Sequence, residues 1–223
     1  MTRARPAAGG GRWVTVEVGR LARWLDGFEE RHGPVLVSGD GQQVRVAGAD
    51  GATATCEVPF PPLAVDGEDA RAALVEHALR PRRVGVLLAR LGGYAVGVAD
   101  GPQVLAVKAG QRHVQGRTAA GGWSQQRFAR RREGQARVAY TAAADAAVQV
   151  LLPEAGRLEG VVCGGDRRAV DAVLADVRLA PLRSLVTGPF LDVPDPKRRV
   201  LEESVGTVRS VRVRVEDPPA LVG

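Results

Sequence analysis

The sequence predicts an α+β protein, in which a mixed β-sheet is covered by packed helices. Short apolar runs bounded by Gly-Asp turns are typical of strands, and apolar residues three or four positions apart are typical of helices. The chain has 223 residues, of which 45% are hydrophobic, so it can bury a substantial core in one large domain or two small ones. Aromatic residues make up only 4%, so alanine, valine and leucine are expected to fill most of that core.

Residues 1–80 predict a small module made of a helix and a three-stranded meander. Apolar residues at helical spacing begin at Leu21, and Gly33-Pro34 would end that helix. Turn sequences then separate three β-like runs, over residues 35–38, 43–47 and 52–58. The Pro-Phe-Pro-Pro segment at 59–62 is interpreted as a linker, and a second helix is expected over 68–79.

Residues 81–223 predict the second domain, in which most of the strands lie. Val84–Ala89 is almost continuously apolar, as expected for a strand covered on both faces. Further strands are expected over residues 94–98, 104–107, 158–163, 185–191 and 211–215. The last of these alternates valine with arginine, which is typical of a half-exposed strand.

Three helices are expected among these strands. The longest begins near Ser124, a natural N-cap, and its apolar line continues to Val150. Asp166 would cap the second helix, and Asp195-Pro196 would start a third helix that ends at Gly206. No internal repeat interrupts this order of elements.

The charge of the chain favours a polyanionic partner. Lys and Arg total 31 against 25 Asp and Glu, which gives a formal charge of +6. Five arginines fall within a few turns of the long helix, with only Glu133 among them: Arg127, Arg130, Arg131, Arg132 and Arg137. Because so few acids could neutralise this cluster, we expect it to contact RNA phosphates. Lys108, Arg112 and Arg117 are weaker candidates for the same surface.

Several other classes of protein are not favoured by the sequence. Cys56 and Cys163 lie far apart in apolar sequence and are expected to be reduced core residues. We expect no metal site and no cofactor, because no zinc-ligand spacing or phosphate-cradling loop is present. No apolar run reaches the ~20 residues that span a bilayer. Met1–Arg12 has no hydrophobic signal core and is interpreted as an unstructured leader, so the expected location is the cytoplasm.

The loop before the long helix combines glycines with neutral polar side chains. Gly121 and Gly122 permit backbone angles and close approach that other residues resist. Trp123, Ser124 and Gln125 follow, and no acid, thiol or metal ligand lies in this stretch. A neutral amide is not repelled by surrounding phosphates, and it does not itself attack an ester. The loop therefore suits the placement of a water molecule in a crowded anionic environment.

The loop and helix together resemble a known group of proteins. The segment from Gly121 to Arg132 is similar to the Gly-Gly-Gln loop and following helix in the middle domain of eukaryotic and archaeal class-1 release factors. The likeness covers roughly residues 81–206, but Trp123 stands where those factors carry glutamine. Vms-like release factors of ribosome quality control carry Gly-x-Ser/Ala-Gln instead, and Gly122-Trp123-Ser124-Gln125 matches that signature. The chain resembles the bacterial branch of this group.

This resemblance implies a fold like the release-factor middle domain and an activity as a peptidyl-tRNA hydrolase. The implied partners are the large ribosomal subunit, its rRNA and peptidyl-tRNA. Gln125 would position the attacking water, with Gln126 as the second candidate, and Gly121, Gly122 and Ser124 would form the rest of the catalytic loop. Trp123 would stack on a base or anchor the loop. Two alternatives stay open: a non-catalytic ribosome-rescue protein, and an RNA-binding protein unrelated to translation.

Overall fold

A computed structural model describes residues 4–7, 10–64, 69–111 and 124–218 of the chain. The architecture is α+β, as the sequence predicts, and the described strands form two sheets. The chain divides into two compact units, Pro81–Val205 and the combination of Met1–Arg80 with Gly206–Gly223. The C-terminal residues lie in the first unit, whereas the sequence placed them in the second.

The elements of the two units are as follows, in chain order. The strands are β1 (Ala4–Pro6), β2 (Arg12–Glu17), β3 (Val35–Gly39), β4 (Gln43–Gly48), β5 (Thr53–Glu57), β6 (Arg83–Arg90), β7 (Gly93–Asp100), β8 (Gln103–Gln111), β9 (Gly160–Gly165) and β10 (Ser210–Glu216). The helices are α1 (Leu21–His32), α2 (Ala70–Leu79), α3 (Ser124–Val150), α4 (Arg167–Leu174), α5 (Ala180–Arg183) and α6 (Arg198–Val208). Short 3-10 turns precede α1 and α5 and follow α3.

The first unit is a six-stranded antiparallel sheet with the strand order β1-β2-β10-β5-β4-β3. One face carries the alternate apolar residues of the strands, such as Val44 and Val213, and both are fully buried. Leu21, Leu25 and Phe28 of α1 belong to the same buried cluster. The predicted helix and meander are therefore present, and they form part of a larger sheet.

Two strands of this sheet were not predicted. Residues 4–6 pair with β2, and β2 pairs with β10, so the segment interpreted as a leader contributes to the sheet. Val14 and Val16 of β2 alternate with Trp13 and Thr15, a period-two pattern that could have identified the strand. The final strand was predicted from its alternation, but β10 inserts between β2 and β5, where Val213 pairs with Val14 and Cys56. Alternation identifies a strand without identifying its partners.

The second unit contains a four-stranded sheet with the order β8-β7-β6-β9. β6, β7 and β8 form an antiparallel meander, and β9 pairs in parallel with β6, with Val86 opposite Val162. Residues of α3 and α4 share a buried cluster with this sheet, including Ala143, Ala147 and Val170. Asp166 caps α4 as predicted, because its side chain accepts a hydrogen bond from the backbone N–H of Arg168.

Two local predictions in this unit are wrong. Residues 185–191 form two isolated parallel bridges to β9 rather than a strand, and Gly188 between them has a φ of 75°. α6 begins at Arg198, later than Asp195-Pro196 suggested, and it continues past Gly206. α3 begins at Ser124, as predicted, and the predicted cap geometry of Ser124 lies outside the described side chains.

Gly165 ends β9 in a conformation that only glycine adopts easily, with a φ of 103°. A Cβ at this position would clash with the carbonyl oxygen of Ala89 and lie 3.2 Å from Cγ of Arg90. We therefore expect Gly165→Ala to lower the free energy of unfolding by about 3 kcal/mol, measured by urea denaturation. Gly156→Ala is the matched control, because no atom lies within 4 Å of a Cβ there, and its effect should stay within about 0.5 kcal/mol. Equal effects of the two substitutions would contradict the steric argument.

Candidate functional site

One edge of the second sheet collects the C-terminal ends of three strands. β6 and β9 are parallel, and β8 runs in the same direction because both β6 and β8 pair antiparallel with β7. Across this edge, Gln111 pairs with Gly93, Gly93 pairs with Arg90, and Ala89 pairs with Gly165. Neighbouring strands lie about 4.8 Å apart, so the edge spans about 14 Å from β8 to β9.

The predicted catalytic loop departs from this edge. The described chain leaves the sheet at Gln111, the last residue of β8, and resumes at Ser124, the first residue of α3. Five of the predicted site residues lie between these two points and outside the described residues: Arg112, Arg117, Gly121, Gly122 and Trp123. Their predicted roles remain predictions, and the structure fixes the two ends of the segment that carries them.

The described side chains of α3 are buried only in the C-terminal part of the helix. Its 27 residues give a length of about 40 Å. Among the described side chains of α3 the first buried one is Ala139, and Ala143 and Ala146 are at most 1% exposed. Towards the N-terminus, Gly134, Arg137 and Val138 are exposed, and no atom lies within 4 Å of a Cβ built at Gly134. Residues 124–138 correspond to about 22 Å of helix, and their described side chains stand clear of the buried cluster.

The predicted arginines fall on two sides of α3. The structure describes positions 124–132 by their backbone, which is helical throughout. Each residue of a regular helix rotates by about 100°, so four arginine positions fall within a stripe of about 120°: Arg127, Arg130, Arg131 and Arg137. This stripe, called here the arginine stripe, is opposite the side on which Ala139, Ala143 and Ala146 are buried. Arg132 lies outside the stripe, on the side of the buried alanines, and so does Gln125.

An arginine fixes the anchored half of α3 in place. Nη2 of Arg178 lies 2.8 Å from Oδ1 of Asp145 on α3 and 2.7 Å from Oδ2 of Asp176. Hydrogen bonds from the Arg178 side chain and backbone lower the pKa of Asp176 to about 2. The same two carboxylates raise the pKa of Arg178, with the hydrogen bond to Asp176 as the largest cause. Both ions are therefore charged at neutral pH, and they join α3 to the turn that follows α4.

Lys108 and Arg137, two further predicted RNA ligands, differ in their surroundings. Lys108 Nζ donates a hydrogen bond to Oε1 of Gln149, near the C-terminal end of α3 and far from the arginine stripe. Arg137 is exposed, and its backbone carbonyl accepts a hydrogen bond from the hydroxyl of Thr141. The structure therefore groups Arg137 with the arginine stripe and separates Lys108 from it.

Two arginines at the sheet edge were not predicted as functional residues. Arg90 ends β6, and Arg167 begins α4, directly after the turn that follows β9. In the sequence they are 77 positions apart, and neither belongs to a charge cluster. Only the parallel pairing of β6 with β9 brings them to one edge, so no local signal could have identified them.

Among the described residues there is no reactive thiol, no group of metal ligands and no membrane-spanning helix. Burial raises the pKa of the Cys56 and Cys163 thiols to about 12 each, so both stay protonated. Within the described ranges, no three His, Cys, Asp or Glu side chains are grouped closely enough to hold a metal ion. The helices in that part of the chain are too short or too polar for a membrane span.

A comparison of the sequence with protein families identifies one match. The profile of the family described as Actinobacteria/chloroflexi VLRF1 release factor, acVLRF1, matches residues 82–214. This range is more than half of the chain and contains the sheet edge and all of α3. A search of curated proteins found no match to the sequence.

Several solved structures are similar to the chain. The crystal structure of the archaeal translation termination factor aRF1 is 18% identical, and the match covers 73% of this chain and 48% of that factor, with a TM-score of 0.44. The structure described as the Vms1 mitochondrial localization core is 9% identical and covers 91% and 82%, with a TM-score of 0.46. A structure described as an archaeal protein is 14% identical and covers 85% and 70%, with a TM-score of 0.40. The chain thus spans about half the length of the archaeal factor.

The ion pairs of Arg178 predict a component of stability that depends on pH. The pKa of Asp176 is lower in the folded protein than its ordinary value of 3.8, so the unfolded chain binds more protons at acidic pH. This contribution is present above pH 4 and is lost as the pH falls from about 4 towards 2. We expect Arg178→Gln to make the fall of the urea midpoint over this range shallower.

Arg157→Gln is the control for this measurement. It removes an exposed arginine that lies 3.8 Å from Glu154 and has no contact with Asp176. Its pH dependence should match that of the wild type. If the urea midpoint of Arg178→Gln also falls with the wild-type slope between pH 4 and 2, Arg178 is not the cause of the lowered pKa of Asp176.

Proposed function

Since the chain belongs to the Actinobacteria/chloroflexi VLRF1 release factor family, we propose that it hydrolyses peptidyl-tRNA. The reaction would release nascent chains from stalled ribosomes or separated large subunits in the cytoplasm. The observation that carries this proposal is the position of Gln125. It lies in the first turn of a helix that is about 40 Å long and whose described buried side chains begin at Ala139, so this turn would enter a narrow cavity.

The chemistry requires a water molecule and a group that orients it. Peptidyl-tRNA is an ester between the nascent peptide and a ribose hydroxyl of the tRNA. Its hydrolysis needs water aimed at the carbonyl carbon and hydrogen-bond donors for the developing oxyanion or the departing hydroxyl. The Gln125 amide would orient the water, and the first turn of α3 offers backbone N–H groups that have no acceptor within the helix.

The neutrality of the amide is important in this environment. Phosphates of tRNA and rRNA would repel a carboxylate, and an amine could attack the ester directly. The amide side chain of glutamine both donates and accepts hydrogen bonds without carrying charge. Gly121 and Gly122 would let the backbone before it approach the ester closely.

The arginine stripe supports the same proposal. Gln125 and the stripe lie on opposite sides of α3, so the tip of the helix would fit between the ester on one side and RNA phosphates on the other. Charge-assisted contacts from Arg127, Arg130 and Arg131 would hold the tip at a fixed depth. The stripe would thus supply affinity and position, and Gln125 would supply the chemistry.

Substitution of Gln125 tests the catalytic assignment. We expect Gln125→Ala to lower the rate of peptide release from large subunits carrying peptidyl-tRNA by roughly 100-fold, because an orienting donor is lost. Binding to the subunits, measured by co-sedimentation, should stay unchanged. Gln126→Ala is the matched control, since it removes the same side chain one position further along the helix.

The outcomes separate the alternatives. Release by Gln125→Ala at the wild-type rate would reject this residue, and loss of release in Gln126→Ala alone would transfer the role to Gln126. Wild-type protein that binds subunits tightly without releasing peptide would indicate a non-catalytic rescue protein. Equal affinity for free RNA and for subunits would indicate a general RNA-binding protein.

Charge reversal tests the arginine stripe. We expect the double variant Arg130→Glu, Arg131→Glu to bind large subunits more weakly and with a smaller dependence of log affinity on log salt concentration. Each lost phosphate contact should reduce the slope by about 0.7 to 0.9. The control Arg157→Glu reverses an exposed charge near the start of β9, at the opposite end of the sheet, and should leave the slope unchanged. Identical slopes for wild type and double variant would remove the stripe from the RNA surface.

A further inference from the structure

We propose that Arg90 and Arg167 form a second RNA phosphate contact at the sheet edge from which the catalytic loop departs. This inference rests on the proposed function, because it takes RNA as the partner of this part of the molecule. It extends the RNA surface from the arginine stripe on α3 to the C-terminal ends of β6 and β9. Neither residue lies in the segment that resembles the release-factor loop and helix.

The guanidinium group of Arg90 lacks hydrogen-bond partners among the described residues. Its Nε atom is buried and has no acceptor there. The nearest carboxylate is that of Asp192, whose Oδ1 atom lies 3.9 Å from Nη2, beyond hydrogen-bond distance. The Arg90 side chain is 37% exposed, so part of the group still faces solvent. A phosphate oxygen would supply the acceptor that the described residues do not offer to this donor.

Arg167 is held by an aromatic ring instead of an acid. Its guanidinium carbon lies 4.3 Å from the centroid of the Phe190 ring, and the arginine is exposed. A cation–π contact orients the guanidinium group and leaves its charge uncompensated. The planar fork of donors remains available for the two oxygens of a phosphate.

The two arginines flank one turn. The backbone N–H of Asp166 donates to the carbonyl of Ala89 at 2.8 Å, which joins the residue before Arg90 to the residue before Arg167. A Cβ at Gly165 would lie 3.2 Å from Cγ of Arg90, so the arginine stem packs against this glycine. The carboxylate of Asp166 accepts from the backbone N–H of Arg168 at 2.9 Å. The Asp166 carboxylate therefore caps the start of α4, and an anion would be bound by the side chains of Arg90 and Arg167.

Other arginines of the second unit contrast with this pair. Arg83, Arg178, Arg198 and Arg199 each lie within 3.0 Å of a carboxylate oxygen. Their charges are compensated within the chain, whereas no carboxylate approaches Arg90 or Arg167 as closely among the described residues.

The position of the pair suits an extended RNA ligand. Arg90 lies two strand spacings from Gln111, about 10 Å from the point where the loop leaves β8. The arginine stripe lies within residues 124–138 of α3, a stretch of helix about 22 Å long. An RNA strand carries a phosphate on every nucleotide, so one molecule that contacts the stripe can also reach the edge. The ligand is therefore an RNA phosphate group, supplied by rRNA or by the bound tRNA.

Single and double variants of the full chain test this contact. Arg90→Gln and Arg167→Gln each remove one charge, and Arg157→Gln is the matched control at the opposite end of the sheet. Binding is measured over a series of salt concentrations, both to empty large subunits and to subunits carrying peptidyl-tRNA. We expect each single variant to lower the salt slope by about 0.7 to 0.9 and the double variant by about 1.5. Arg157→Gln should keep the wild-type slope.

The two kinds of subunit distinguish the source of the phosphate. A smaller salt slope for binding to empty subunits would identify rRNA as the source. A smaller salt slope only for subunits that carry peptidyl-tRNA would identify tRNA. Wild-type slope and affinity for the double variant on both would overturn the proposal. If Arg90→Gln fails to fold, the exposed Arg167→Gln alone decides the result. Wild-type protein that binds subunits but releases no peptide would reject the proposed hydrolysis, and the slopes would still test this contact.

Discussion

The packing of the C-terminal half of α3 against the second sheet is the constraint on which the proposed site depends. Ala143, Ala146 and Ala147 are buried there, and their single methyl groups let the helix approach the strands closely. Leu151 fills the space above Gly85, where a Cβ would lie 3.1 Å from the leucine side chain. A close-packed helix of this kind is rigid, because interiors resist small displacements. The buried alanines therefore fix the C-terminal half of α3 on the sheet, about 30 Å from the first turn of the helix.

The topology of the sheet explains why the loop, the helix and the further arginines belong to one region. The meander of β6, β7 and β8 places the end of β8 at the same edge as the end of β6. The parallel strand β9 then brings the turn at Gly165 to that edge, and this turn leads directly into α4. In open sheets, ligands commonly bind outside the carboxyl ends of the strands, and here three such ends meet. The chain leaves the sheet for the predicted loop at this edge, where Arg90 ends β6 and Arg167 begins α4.

The sequence was most informative where structure follows from local spacing. The bounds of α3, the meanders of both units and the cap at Asp166 follow from periodicity and turn chemistry within a few residues. The insertion of β10 between β2 and β5 depends on pairing across more than 150 residues, which no local pattern encodes. The separation of Lys108 from the arginine stripe and the meeting of Arg90 with Arg167 also depend on sheet order. The cluster of arginines could be read from the chain, but its division between two sides of α3 required the helix to be fixed in register.

Gly134 connects these observations about α3. Glycine lowers helix stability by about 1 kcal/mol relative to alanine, and this one lies in the exposed stretch just before the first buried residue. By rotation along the helix it falls within the arginine stripe, with Arg130 and Arg131 before it and Arg137 after it. No neighbouring atom would exclude a side chain at this point, so packing does not require glycine there. Gly134 is therefore the position at which bending of α3 costs least, and it separates Arg127, Arg130 and Arg131 of the stripe from Arg137.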